Sequence, residues 1–272
     1  MLQTFCDFFR ADAKLRWWSK IMLAVIPFAI CVFMYADRSA EKRAENPKDR
    51  TMPSLVQIGQ GFQRAVTAED RQGRNTLLRD MRASGVRVAI SIAIIMTGLF
   101  IGLGMGVFPF IDAFLYPFVI VSKFFIPATL ISVLFATVGA GEEAKIILMV
   151  LSLFPLLILE ARKCSLALPR EQLDKTWSLG ATDLEYAFRV VLPQIWPHLK
   201  DFLRLNLHVV ITLLIVAEGF GASEGLGYRI LVNQRNINMA DVIPYVVIIA
   251  GFLWMADKTL VFWIRRHKWL TA

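Results

Sequence analysis

Several absences bound what this 272-residue chain does. It has no G-x-x-x-x-G-K-[ST] run, so it lacks the usual phosphate loop for binding ATP. Its three cysteines, Cys6, Cys31 and Cys164, are scattered and odd in number, with no C-x-x-C pair. That excludes a disulfide framework and a zinc or redox pair, and leaves the three as small apolar side chains. The three histidines, His198, His208 and His267, are dispersed. No metal site and no constellation for an integral-membrane enzyme gathers around them. Internal repeats are missing and most charges sit at the ends of apolar runs, which counts against an ion-coupled secondary transporter, the alternative reading. No DNA- or RNA-binding motif accompanies the net charge of +8, so nucleic acid is not an expected partner.

What the chain does have is apolar length. Hydrophobic residues make up 56% of it, and the mean hydropathy is +0.54. Soluble domains usually stay near 45–50% apolar, so the excess predicts an all-α integral membrane protein. Residues 1–20 read as an amphipathic interfacial helix, with Phe5, Phe8, Phe9 and Trp17 against Arg10, Lys14, Arg16 and Lys20. A first span follows at 21–36, and then an external polar loop at 37–85. That loop contains a short helix opened by Met52-Pro53-Ser54, with Ser54 as N-cap. The core, 86–264, holds five further spans: about 86–108, 113–138, 144–159, 203–216 and 242–264. A basic tail, 265–272, closes the chain.

Six spans put both termini on one side of the membrane. Basic clusters at 10–20, at Arg162-Lys163 and at 265–268 assign that side to the cytoplasm. The Arg-rich loop at 37–85 dissents, but moving it inside would strand the other three clusters. In the second span Gly98, Gly102 and Gly106 recur every four residues, which lets another helix approach closely. In the third, Lys123 either faces protein or water or snorkels to headgroups from near an end. Asn206 and His208 stand at the inner end of the fifth.

Between the fourth and fifth spans, at 160–200, lies a charged cytoplasmic loop. Its stretch LPREQLDKTWSLGATDLEYAFRVVLPQIWP, residues 168–197, reads as two short helices. Pro169 suits the first turn of one, Leu173 and Trp177 share a face, and Gly180 sits where a left-handed cap belongs. Thr182 and Glu185 form a capping box for the other, and Pro193 is expected to stop it. Each helix has roughly ten residues, half of the roughly twenty a spanning helix needs. The stretch is therefore a water-side docking element held between spans.

That element, Leu173-Asp174-Lys175-Thr176-Trp177-Ser178-Leu179-Gly180-Ala181 with Leu192-Pro193 thirteen residues past the glycine, resembles the "EAA" loop of bacterial ABC importer permeases. Val138-Gly139-Ala140-Gly141-Glu142, Ala217-Glu218 followed by Ser223-Glu224-Gly225-Leu226-Gly227-Tyr228, and Met52-Pro53-Ser54 resemble the nitrate, sulfonate, taurine and bicarbonate branch. The resemblance covers about 52–264. It implies a non-catalytic permease subunit of the bacterial inner membrane, with six spans and a coupling helix. Its implied partners are two ABC ATPase subunits holding ATP and Mg, a second permease chain in a homodimer, an external solute-binding protein and the bilayer. No cofactor is expected on this chain itself.

Carried over by position, ATPase coupling falls to Leu173, Asp174, Lys175, Thr176, Trp177, Gly180, Ala181, Leu192 and Pro193. Asp174 stands at the family's glutamate, while Lys175 and Thr176 replace two alanines that seat the helix closely. The solute path takes Lys123, Asn206 and His208, suited to a small anion or sulfonate. Contact with the binding protein takes Glu218, Glu224 and Tyr228, with structuring of the loop the other role open to the two glutamates. A non-transporting scaffold is the remaining reading, on the ground of the altered Asp174-Lys175-Thr176.

Overall fold

The computed structural model describes residues 17–45, 50–68, 73 and 75–266. Among them there are helices and turns and no β-strand. The first helices are α1 (Trp17–Glu45), α2 (Leu55–Thr67), α3 (Thr76–Val107) and α4 (Pro109–Ser122). A 3-10 turn (Pro127–Leu130) leads into α5 (Ile131–Thr137), followed by α6 (Glu142–Leu166) and α7 (Arg170–Ser178). One turn of helix, α8 (Asp183–Glu185), passes through a π-segment (Tyr186–Val191) into α9 (Leu192–Gly221). α10 (Leu226–Arg235) and α11 (Met239–Arg266) complete the chain.

Four helical stretches among the described residues are long and apolar enough to cross a bilayer: α3, α6, the run Asp183–Gly221, and α11 over Met239–Thr259. The pair formed by α4 and Pro127–Thr137 is bent by 77° and makes five if taken as one span. The expected first span, 21–36, lies within α1, which continues to Glu45. The expected interfacial helix at 1–20, apart from its last four residues, and the tail beyond Arg266 lie outside the described residues.

Three expectations are corrected. The third span is not one straight helix from 113 to 138. Its chain breaks after Ser122 and restarts at Pro127, because proline disfavours helical backbone before it and cannot donate to the preceding turn. The helix that carries the second span does not begin near 86. Asn75 accepts from the backbone N–H groups of Leu77 and Leu78, so α3 starts ten residues earlier, inside what reads as a polar loop. Pro193 does not stop the helix before it. It occupies the first turn of α9, and the π-segment before it carries the chain into that helix without a loop and accommodates the missing N–H.

Other local signals hold. Ser54 Oγ accepts from Gln57 N–H at 3.1 Å and Gln57 Oε1 from Ser54 N–H at 2.9 Å, a closed capping box for α2. The core is the seam of α3 and α6, where Ile95, Leu99 and Leu103 meet Leu153, Leu157 and Ala161. Tyr186, Val191, Ile195 and Leu199 of the run 183–221 pack into the same cluster.

The expected glycine stripe makes this seam. A methyl group at Gly98 would touch the Phe154 ring at 3.1 Å, and one at Gly106 would lie 2.3 Å from Ser165 Cβ. At Gly102 it would stand 2.4 Å from the Ile158 carbonyl oxygen, a backbone atom that cannot swing away. Gly102→Ala is therefore expected to destabilise the bundle by about 1–3 kcal/mol, the usual cost of overpacking. Gly85→Ala on the same helix meets nothing within 4 Å. It is expected to be neutral or to stabilise by up to ~1 kcal/mol. Thermal melting of both variants in detergent checks the contrast, and equal losses would sink it.

Candidate functional site

The docking element is built from two caps. α7 ends in a Schellman motif: Ala181 N–H donates to Thr176 O at 3.2 Å and Gly180 N–H to Trp177 O at 2.8 Å. Gly180 adopts φ +78°, the left-handed conformation that this closure needs and glycine accepts at no steric cost. Two residues on, Thr182 Oγ1 accepts from Glu185 N–H at 3.3 Å, while Glu185 Oε2 accepts from Thr182 N–H at 3.1 Å. Trp177 Nε1 donates to Asp183 Oδ1 at 2.8 Å and braces one cap on the other. The chain therefore passes from α7 to α8 through a turn closed by hydrogen bonds on both sides.

The surface of that turn is both apolar and charged. Leu179 is 87% exposed, and Leu184 and Trp177 are also largely open. Asp174 and Lys175 point to solvent, Thr176 is half-buried, and Leu173 packs partly against the main core. A cleft of about 270 Å³ opens between Thr176, Gly180, Glu185 and Arg189. Leu192 is half-buried and Pro193 exposed, at the start of α9. Gln194 Nε2 donates to Gln172 Oε1 at 3.0 Å, tying α7 to the long helix it precedes.

That helix joins the turn to the far end of the bundle. From Asp183 to Glu218 it covers roughly 50 Å at about 1.5 Å per residue. At the far end Glu218 is fully buried, and its carboxylate is the centre of a charge network. Glu218 Oε1 accepts from Arg87 Nη1 at 2.6 Å and from Ser84 Oγ at 2.7 Å; Oε2 accepts from Gly227 N–H at 2.9 Å. The Arg87 fork also grips Glu142 on α6, with Nη2 at 2.9 Å from Oε1, and Glu142 takes a further bond from Lys145 at 2.8 Å.

The same network caps α10. Its first N–H groups have no partner of their own. Asp80 Oδ1 accepts from Gly225 N–H at 3.2 Å, Ser84 Oγ from Leu226 N–H at 3.1 Å, and Glu218 from Gly227. Two of these acceptors are carboxylates, the charge that a helix N-terminus favours. Gly225 has φ +128°, and a Cβ there would lie 2.5 Å from the Glu218 carboxyl carbon. Arg229 on α10 returns the contact by donating to Asp80 Oδ2 at 2.7 Å.

Sequence reasoning missed Asp80, Ser84, Arg87, Glu142, Lys145 and Arg229. The available signal was the spacing of Asp80, Ser84 and Arg87, which repeats every three or four residues and shares one helix face. Of the residues expected to touch a binding protein, Glu218 has no surface to offer. Glu224 pairs with Arg79 at 3.4 Å and gives its carbonyl to Arg87 at 3.1 Å. Tyr228 is half-buried in the first turn of α10.

The three path candidates are not brought together. Lys123 is exposed at the break after α4, its Nζ 5.0 Å from the Phe124 ring centre. Asn206 Nδ2 donates to Phe202 O at 2.8 Å, and His208 Nδ1 lies 2.8 Å from Leu205 O. Two apart on one helix, Asn206 and His208 face different directions.

Comparison with known proteins adds to this geometry. Residues 94–267 match the family model described as binding-protein-dependent transport system inner membrane component. The taurine transport system permease protein TauC of Escherichia coli (strain K12) is 26% identical over 187 residues, covering 68% of this chain and 64% of that protein. The chain thus spans a little under two thirds of that relative's length. A probable ABC transporter permease protein of Brucella abortus (strain 2308) is 24% identical over 173 residues, 61% of this chain and 69% of that one. Among solved structures, an inward-facing form of the MetNI methionine ABC transporter superposes with a TM-score of 0.52. It covers 69% of this chain and 97% of its own, at 19% identity, a likeness of fold.

Proposed function

Because the chain belongs to the binding-protein-dependent transport system inner membrane component family, we propose that it is the permease subunit of an ATP-driven importer, coupled to a separate ATPase through 168–197. The observation that carries this reading is the double-capped turn at Gly180. It is closed by hydrogen bonds on both sides, exposes Leu179 and Trp177, and continues without a loop into a span-length helix. Such a unit suits a helix-in-groove contact with a soluble partner. The missing phosphate loop makes ATP and Mg the business of that partner.

The assembly we propose has two permease chains paired as a homodimer, two ATPase subunits at the docking turns, and an external binding protein at the opposite end. Both termini then lie in the cytoplasm. The solute is a small anion of sulfonate type. Similarity to the taurine permease supports this, and so does the exposed cation of Lys123 at the broken third span. Glu224 and Tyr228 remain the candidates for binding-protein contact, and Asn206 and His208 those for the path.

Co-purification of the tagged full chain from its native membrane tests the proposal. A stoichiometric ATPase carrying a phosphate loop is the expected companion. Recovery of the chain alone in mild detergent, with uptake intact after reconstitution, would overturn it in favour of ion-coupled transport.

A further inference from the structure

The charge network lies at the opposite end of the bundle from the docking turn, yet the two share one helix. Glu218 is on the run that starts at Asp183, and no loop or glycine hinge intervenes before Gly219. Its carboxylate reaches three other elements: α3 through Arg87 and Ser84, α10 through the N–H of Gly227, and α6 through Arg87's second bond to Glu142. Ser84 and Glu218 are fully or nearly fully buried, and Arg87 is 7% exposed. A simple cap for α10 needs only the acceptors; the guanidinium fork adds a crosslink between three helices.

We propose that Glu218 and Arg87 form a latch that carries movement of the docking turn to the outer segment Ser223–Tyr228, as positioning residues for solute transfer. This rests on the coupling reading above and adds the receiving end to it. When the turn at Gly180 shifts, the displacement passes through the π-segment and Pro197 into the rest of the helix, where Ile195, Leu199, Val210 and Leu214 pack in one cluster with α3 and α6. At the far end the displacement enters the Glu218 carboxylate. The loop after Gly221 follows because its backbone is fixed to that carboxylate, to Ser84 and to Asp80. Arg87 holds α3 and α6 to the same point, so the loop moves together with Asp80 and Ser84 of α3, and the exposure of Ser223 changes with them.

The test uses the intact complex in lipid nanodiscs. Ser223 is exposed, and Ser223→Cys supplies a thiol for a membrane-impermeant maleimide, with the parent chain as the blank for its native cysteines. Labelling is timed without nucleotide and with ATP plus vanadate. The latch predicts a several-fold change in rate between the two states. In Glu218→Gln that change disappears and uptake per ATP hydrolysed falls at least tenfold, while assembly and ATP turnover persist. Glutamine keeps an acceptor for Gly227 and leaves Arg87 its bond to Glu142. Should that variant not assemble, Arg87→Lys, which keeps the charge without the fork, gives the same readout.

A nucleotide-dependent rate that survives in these variants would overturn the latch, as would a Ser223→Cys thiol indifferent to nucleotide in the parent. An unmodified chain that retains no ATPase would instead sink the coupling reading, and that appears at the purification step.

Discussion

Gly180→Val is expected to reduce solute uptake at least tenfold while the membrane bundle stays folded. At φ +78° a branched Cβ collides with its own backbone, at a cost of about 1–3 kcal/mol. Space is not the obstacle, since a Cβ at Gly180 meets no atom within 4 Å. The strain is relieved locally by opening the Schellman closure, which frees α7 to swing relative to Thr182. Because Leu179 and Trp177 stand on that turn, the surface proposed to meet the ATPase loses its shape. Melting in detergent is expected to change little, and ATPase retained on the tagged chain to fall with uptake. A Gly180→Val chain that holds its ATPase and transports at the parent rate would remove the turn from the coupling machinery. Asp174→Lys is the companion variant: it reverses an exposed charge on α7 and leaves the backbone untouched, so it tests the surface alone.

Removing Arg87 is expected to have the largest effect on the fold. Arg87→Ala leaves Glu218 fully buried with hydrogen bonds but no counter-charge. It also deprives Glu142 of its stronger partner. Breaking a buried pair from one side typically costs about 3–5 kcal/mol, enough to empty the folded population of a marginally stable membrane protein. Removing both charges with apolar groups of similar volume, as in Arg87→Met with Glu218→Leu, is expected to recover much of that loss. No lone charge then remains in the interior, although Gly227 and Ser84 lose an acceptor. Monodisperse yield and melting of the two single variants and the double variant complete the cycle. Additive losses would mean that Arg87 and Glu218 do not depend on each other.

What could be read from the sequence was local. Ser54, Thr182 with Glu185, and Gly180 announce themselves because a cap is a contact across two or three residues, and the side chain that makes it also defines it. The glycine stripe at 98, 102 and 106 was legible as a close helix approach, since its period is that of a helix face. The network was not. Arg87 meets partners 55 and 131 residues away, and Asp80 meets Arg229 across 149. Read locally, residues 79–87 are charged and look like loop, because the spacing that puts Asp80, Ser84 and Arg87 on one face is legible only once that stretch is taken as helix. The break before Pro127 was hidden differently. Average hydropathy records that a stretch is apolar and carries no information on its direction, so two half-helices at 77° read as one span. Pro193 misled for a related reason: a helix tolerates proline in its first turn, and the π-segment before it has no composition of its own.

The uninterrupted run from Asp183 to Gly221 also bears on which sequence changes this chain can accept. Most connections absorb insertions in a loop, but between Glu185 and Gly221 no loop exists to do so. One added residue would advance everything beyond it by about 1.5 Å and turn it by about 100°. Glu218 would then point away from Arg87, while Gly180 remained where it was. The interval from the glycine to Leu192-Pro193, and onward to the buried glutamate, is thus a matter of angular phase. Relatives that keep both ends of this helix are expected to vary in residue type along it and to hold its length constant.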